Sequence, residues 1–257
     1  MRTLTNQPLV KRNAMIGKYA TIGGLVILVG GVVVSLNSQT QNDPLFQTIP
    51  FITLIVGFIL SNVGTYFMTR FVREPRADQA FEGALKGMDD RYHLYNFYNV
   101  GASHLLVTPA GLFAIIPKFQ KGKVTWDGKG WKHPGGNFFL SLFGQENLGN
   151  PNAEAASDAD RIAKFLAKKV GGDIPPVQAL IVFYNPSTTI EADNPPIPTV
   201  HVKQLKDYLR RLGKPAHAGR DGAGGGSGKP PIGSIGGKRS LTLTPEQIAK
   251  LDEAIGI

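Results

Sequence analysis

Cysteine is missing from all 257 residues, which excludes disulfides, thiolate-held iron–sulfur clusters and cysteine-based zinc sites. Charge is missing from one long region: between Tyr19 and Thr69 the single charged residue is Asp43. Metal-ligand spacing is missing too, since His93, His133, His201 and His217 stand in no such pattern and His104 sits inside an apolar strand. The glycine-rich run GAGGGSG follows no strand and precedes no Gly-Lys-Ser/Thr, so it is no phosphate loop. Finally, Ala102 to Val124 (ASHLLVTPAGLFAIIPKFQKGKV) holds no carboxylate, although it ends in a run of lysines.

What is present is a net charge of +9 and a pI near 9.7, a balance that favours anionic partners such as nucleic acid or an anionic membrane surface. Two apolar runs fill the uncharged region, Tyr19 to Leu36 and Ile49 to Met68. A bilayer core needs about 20 mostly apolar residues in a helix, so both read as transmembrane, at about 17–37 and 49–70. A second span and the lack of a small-residue cleavage site argue against a removed signal peptide. Arg2, Lys11, Arg12 and Lys18 precede the first run, none lies in the connecting loop, and Arg70, Arg73 and Arg76 follow the second. The positive-inside rule therefore predicts an integral membrane protein with both termini cytoplasmic. Ala20 and Gly24 on the first run, and Gly57, Ser61 and Thr65 on the second, are small residues four apart that let helices pack closely.

The remainder is mildly basic. A cytoplasmic N-terminal segment (1–14) and the two spans (within 15–72) lead into an α/β domain predicted over 76–213. Its elements read as a helix from Ala77 to Met88, strands SHLLV and LFAII around TPAG, a hairpin around Asp127-Gly128, a helix from NPNAE, a central strand VQALIVFY, a short strand PTVHV, and a helix ending at Gly213. The nearly continuous apolar strands imply a mixed sheet covered on both faces. Residues 214–240 are rich in glycine and proline and read as a flexible linker. Residues 241–257 read as a helix with Thr244 as N-cap and Gln247 completing a capping box. Such a helix docks either on its own domain or on a partner.

From Arg76 to Gly213 the chain resembles the nuclease-related domain (NERD) family, whose core is similar to restriction-endonuclease-like nucleases. The resemblance rests on SHLLVTPAGLFAIIPKFQKGKV, on NPNAE and on VQALIVFY. It implies a restriction-endonuclease-like α/β fold, with an aspartate just before a strand histidine and a glutamate two residues before a lysine. Those positions hold Ser103 (ahead of His104), Ile116 and Lys118 here. The second helix of the family carries a glutamine where Glu154 stands, and its first-helix acid corresponds to Asp78, with Glu82 one turn later. Such nucleases hold magnesium through oxygen ligands, and neither serine nor isoleucine replaces a carboxylate there. The resemblance thus implies a degenerate active site with no metal and no confident catalytic residue.

Three functional readings follow. The first is a membrane-anchored protein whose nuclease-like domain binds nucleic acid or protein without catalysis. Lys118, Lys121, Lys123, Lys129 and Lys132 would contact phosphates and Trp126, with Trp131, would stack on bases. The second is an accessory subunit of a membrane complex, with a membrane-protein partner or a second copy of itself. The third is an active nuclease that uses magnesium on displaced carboxylates such as Asp78, Glu82 or Asp127.

Overall fold

The computed structural model describes residues 1–36, 44–134, 147–213 and 241–257. The expected linker (214–240) and the loop between the apolar runs (37–43) lie outside the described residues.

The apolar runs form two helices, α1 (Gln7–Leu36) and α2 (Pro44–Phe71), which pack as a hairpin. Both are long and apolar enough to cross a membrane. Helix α1 starts ten residues before the expected position because hydropathy marks only the apolar part of a helix. Lys11, Arg12 and Lys18 occupy its first turns. Glycines set the packing. Gly17, Gly24 and Gly31 recur every seven residues on α1, as do Gly57 and Gly64 on α2, so each series follows one seam. A methyl group at Gly24 would lie 2.9 Å from the Ser61 amide nitrogen, and one at Gly64 2.6 Å from that of Thr21. Of the small residues singled out from sequence, Ala20, Gly24, Gly57 and Ser61 lie at or beside this seam, while Gly64 takes the place expected for Thr65. Thr21 Oγ1 donates to Gly17 O at 2.8 Å and Thr53 Oγ1 to Ile49 O at 3.0 Å, so these hydroxyls are satisfied within their own helices.

The second unit is mixed α/β. Its main sheet has the order β1-β2-β3-β4-β7-β9: β1 (Arg2–Thr5), β2 (His93–Asn96), β3 (His104–Thr108), β4 (Gly111–Lys118), β7 (Val177–Phe183) and β9 (Thr199–His201). Strands β2, β3 and β4 are antiparallel, whereas β1 on β2, β4 on β7 and β7 on β9 are parallel. A small sheet joins β6 (Trp131–Lys132), β5 (Gly122–Trp126) and β8 (Thr188–Ala192). The Asp127-Gly128 turn makes β5 and β6 the hairpin expected from sequence. VQALIVFY is an interior strand, next to the β9 edge.

Both faces of the main sheet are covered, as continuous apolar strands require. Leu112, Ala114 and Ile116 point to one face, where they meet Ala155, Ile162 and Leu166 of α4 (Pro151–Lys169). Phe113 and Ile115 point to the other, against Phe81 and Leu85 of α3 (Ala77–Leu85) and Leu205 and Leu209 of α5 (Val202–Leu212).

The C-terminal helix α6 (Pro245–Ala254) docks on its own domain, on the α4 face, burying Leu243 and Leu251 with Ile248 and Ile255 alongside. Its capping box forms as expected, with Gln247 N donating to Thr244 Oγ1 at 3.2 Å and Thr244 N to Gln247 Oε1 at 2.9 Å. Two fully buried leucines contribute on the order of 3–6 kcal/mol. Leu251→Ala should lower the domain's stability by about 2–4 kcal/mol, read by urea unfolding of the full chain in detergent. No change would mean that α6 adds nothing to the core.

Candidate functional site

Side chains alternate along a strand, so Lys118 falls on the same face of β4 as Ile116, the face under α4. Strand β3 pairs with β4 as Leu105↔Ala114. Continuing that register two residues brings Ser103 opposite Ile116. Ser103 O accepts from Phe97 N at 2.7 Å, which continues the β2–β3 ladder beyond its last pair. Ile116 and Lys118 thus share one face of β4, and Ser103 stands one residue before the neighbouring β3, close to the arrangement a paired-carboxylate site would need.

The contents differ from such a site. Ile116 is buried in the apolar core. Lys118 is also buried, at 4% exposure, and its Nζ donates to Glu154 Oε2 at 2.7 Å and to Leu148 O at 3.0 Å. Glu154 stands in the first turn of α4, a helix capped by Asn150 and started by Pro151. The residues before that cap close over the lysine. Gly149 holds a left-handed conformation (φ 63°), and a methyl group there would lie 2.8 Å from Glu154 Oε1. The lysine amine is thereby turned to protein oxygens and away from solvent. The Lys118–Glu154 partnership has no sequence signature, because 36 residues separate the two and the glutamate stands on a helix while the lysine ends a strand.

The other candidate carboxylates lie elsewhere. Asp78 is buried in α3, across the sheet from Lys118, and Glu82 is exposed on the same helix. Asp127 accepts from the backbone of Lys129 and Gly130 at 2.9 and 2.8 Å and pairs with Lys132 at 2.8 Å. The Lys132 hydrogen bond, then those amides, hold its carboxyl far below the usual carboxylate range. Among the described residues no three His, Asp or Glu side chains are gathered so as to hold a metal ion. Serine, isoleucine and one lysine-bound glutamate do not fit magnesium, which takes several oxygen ligands in near-octahedral geometry.

The candidate nucleic-acid contacts are divided. Lys121 and Lys129 are exposed. Lys123 pairs with Glu191 of β8 at 2.7 Å and Lys132 with Asp127, so two of the five lysines carry local counter-charges and Lys118 is buried. Trp126 and Trp131 lie 5.6 Å apart, centroid to centroid; Trp131 also packs on Phe183, and its Nε1 donates to Asn152 Oδ1 at 3.1 Å. Trp131 is thus part of the core, and Trp126 is half-buried.

His104 is a core histidine. Its Nδ1 lies 2.8 Å from Asn96 Oδ1, and the rings of Phe81 and Phe97 meet it edge-on. A cavity of about 480 Å³ opens elsewhere, lined by His93, Pro109, Leu243, Pro245 and Ile248 among others. Burial, and then the charge of Arg2, lower the pKa of His93.

The chain matches no protein-family model, and comparison with curated proteins and with solved structures finds no match either.

Two outcomes follow from these geometries. Lys118→Met should leave stability within about 1 kcal/mol of wild type, because an apolar side chain replaces a buried charge together with its need for a partner. Glu154→Ala should cost more, about 1–3 kcal/mol, because it strands the buried amine. Denaturant unfolding of both variants decides it, and the reverse order would rule out a structural pair. The depressed pKa of His93 means that the unfolded chain binds a proton more readily below about pH 6.5. The stability tied to neutral His93 is present above that pH and is lost as pH falls toward the folded pKa. A His93→Phe variant should lose less stability between pH 7 and 5 than wild type in thermal melts.

Proposed function

We propose that this is a membrane-anchored binding protein whose α/β domain has a restriction-endonuclease-like core of the NERD type and does not hydrolyse its ligand. The observation that carries this reading is the Lys118 amine, closed between Leu148 O and Glu154 on a face where Ser103 and Ile116 occupy the expected carboxylate positions. Shared placement supports the family resemblance, and altered chemistry supports the loss of activity. Catalysis by displaced carboxylates has less support, since Asp78 lies across the sheet and Asp127 is committed to Lys132.

The hairpin α1–α2 is the anchor in this reading. Strand β1 precedes it and β2 follows it, yet the two pair in one sheet, which supports entry and exit on the same side of the bilayer. Lys11, Arg12 and Lys18 where the hairpin begins in sequence, and Arg70, Arg73 and Arg76 where it ends, favour the cytoplasmic side for both.

Nucleic acid is the ligand that the β5–β6 hairpin favours, through exposed Lys121 and Lys129 beside half-buried Trp126. The ion pairs of Lys123 and Lys132 weaken the local field, so binding should be modest and strongly salt-dependent. One gel experiment tests both parts. The full chain in detergent is incubated with labelled single-stranded DNA or RNA and magnesium. The expected result is a retarded, uncleaved band at about 50 mM salt that fades toward about 200 mM. Magnesium-dependent cleavage that disappears in Lys118→Ala would overturn the non-catalytic reading. No retarded band at low salt would exclude nucleic acid and leave a protein ligand.

A further inference from the structure

Asn62 is a strongly polar side chain in the middle of an apolar helix. It lies three residues beyond Ile59, the midpoint of the spanning segment Gln47–Phe71, or about 4.5 Å along the axis. At 100° per residue it points away from the seam with α1, where Gly57 and Gly64 sit, and it is exposed. Phe51, Ile55, Phe58 and Tyr66 share its face and are exposed with it. One amide N–H donates to Phe58 O at 2.8 Å. Among the described residues, the second N–H and the carbonyl oxygen of that side chain take no partner.

Water would satisfy those groups at the surface of a soluble protein. Hydrocarbon does not, and an unpaired amide there is costly. Two other polar groups of α2 avoid the problem: Thr53 bonds back to its own helix, and Ser61 faces Gly24 in the seam. Asn62 has only part of the first solution, since its bond to Phe58 O leaves the second N–H and the carbonyl oxygen over. An amide carries both donor and acceptor, so it is complementary to a second copy of itself. A two-fold axis along the bilayer normal brings like residues of two identically inserted helices together and lets two amides exchange hydrogen bonds. Around Asn62 the face is apolar through Phe51, Ile55 and Phe58, and charge enters only toward the helix end, where Arg70 donates to Tyr66 Oη and lies over its ring.

We propose that the chain pairs with a second copy of itself within the bilayer through this outer face of α2, with the two Asn62 amides hydrogen-bonded to each other. The proposal rests on the membrane reading of α1 and α2 given above. An interhelical amide pair shifts association about tenfold, so the dimer is modest and sensitive to protein density in the membrane.

The absence of cysteine makes the test direct. Full-length protein is reconstituted in phosphatidylcholine vesicles, and self-association is followed by energy transfer between two dye-labelled populations as the protein-to-lipid ratio rises. Wild type should associate, Asn62→Leu should need about tenfold higher density, and Asn62→Gln should recover most of the loss. Single-cysteine variants at Ile55 and Tyr66 should cross-link under copper-phenanthroline oxidation, whereas one at Val26, exposed on the outer side of α1, should not. Energy transfer unchanged by Asn62→Leu, or a monomer at every density, would overturn the proposal. Alkaline carbonate separates the two levels: protein stripped from the vesicles sinks the membrane reading and the pairing with it, whereas protein that stays without Asn62-dependent association sinks the pairing alone.

Discussion

The parallel pairing of β1 with β2 is the constraint from which the rest of the molecule takes its form. Four residues, Arg2 to Thr5, register against His93 to Asn96, and the apolar hairpin lies between them in sequence. The sheet is thus built from chain on both sides of the hairpin, and its edge exists only if the chain returns. The pairing is reinforced by side chains. Asn96 Nδ2 donates to Thr5 Oγ1 at 3.2 Å while its Oδ1 takes the His104 bond, linking β1, β2 and β3 beneath α3. On the opposite face, Asp252 of α6 pairs with Arg2 and accepts from Tyr95 Oη at 2.9 Å. Burial, with that carboxylate beside it, pushes the Tyr95 phenol well above its usual range and keeps it a donor. The last helix of the chain therefore secures the strand that leads into the first.

Much of this was legible in the sequence, and the reasons are particular. The hairpin helices were readable because two long apolar runs leave few alternatives. The β5–β6 turn was readable from Asp127-Gly128, and the start of α6 from Thr244, Pro245 and Gln247, because turns and caps are local chemistry. Covered strands were readable from their unbroken apolar character. Strand β1 was not, since RTLT is too short to show alternation and its partner lies about 90 residues away. The second sheet was hidden for the same reason: β8 (TTIEA) joins β5 by a parallel pairing that no local signal announces. The glycine seam was read at a spacing of four when the packing uses seven, because both spacings fall on one helix face.

The candidate site divides along the same line. Its backbone placement followed from strand alternation, which needs only counting. Its chemistry depended on Glu154 and Leu148, which arrive from another part of the chain, and on Gly149, whose left-handed turn lets the glutamate lie close over it. No spacing rule links these to Lys118. The lysines of the hairpin showed the opposite failure. Their clustering was plain in the sequence, but Glu191 reaches Lys123 only through the unforeseen β5–β8 pairing.

These contacts also explain why Ile116 and Lys118 belong together. Ile116 pairs in register with Ile181 and is almost fully buried. A carboxylate in its place would be desolvated on the sheet face that also carries the Lys118–Glu154 pair. Without a cation to bind both, two carboxylates so placed would compete for one ammonium, and one would be driven toward its neutral form. With isoleucine there, a single glutamate balances a single lysine, and Leu148 O takes a further lysine N–H. The buried charge is thereby matched one for one, and the apolar layer under α4 continues to the end of β4. A face that would need a cation to balance two acids here has its one buried ammonium balanced by one acid, which ties the chemistry of the site to the packing of the core.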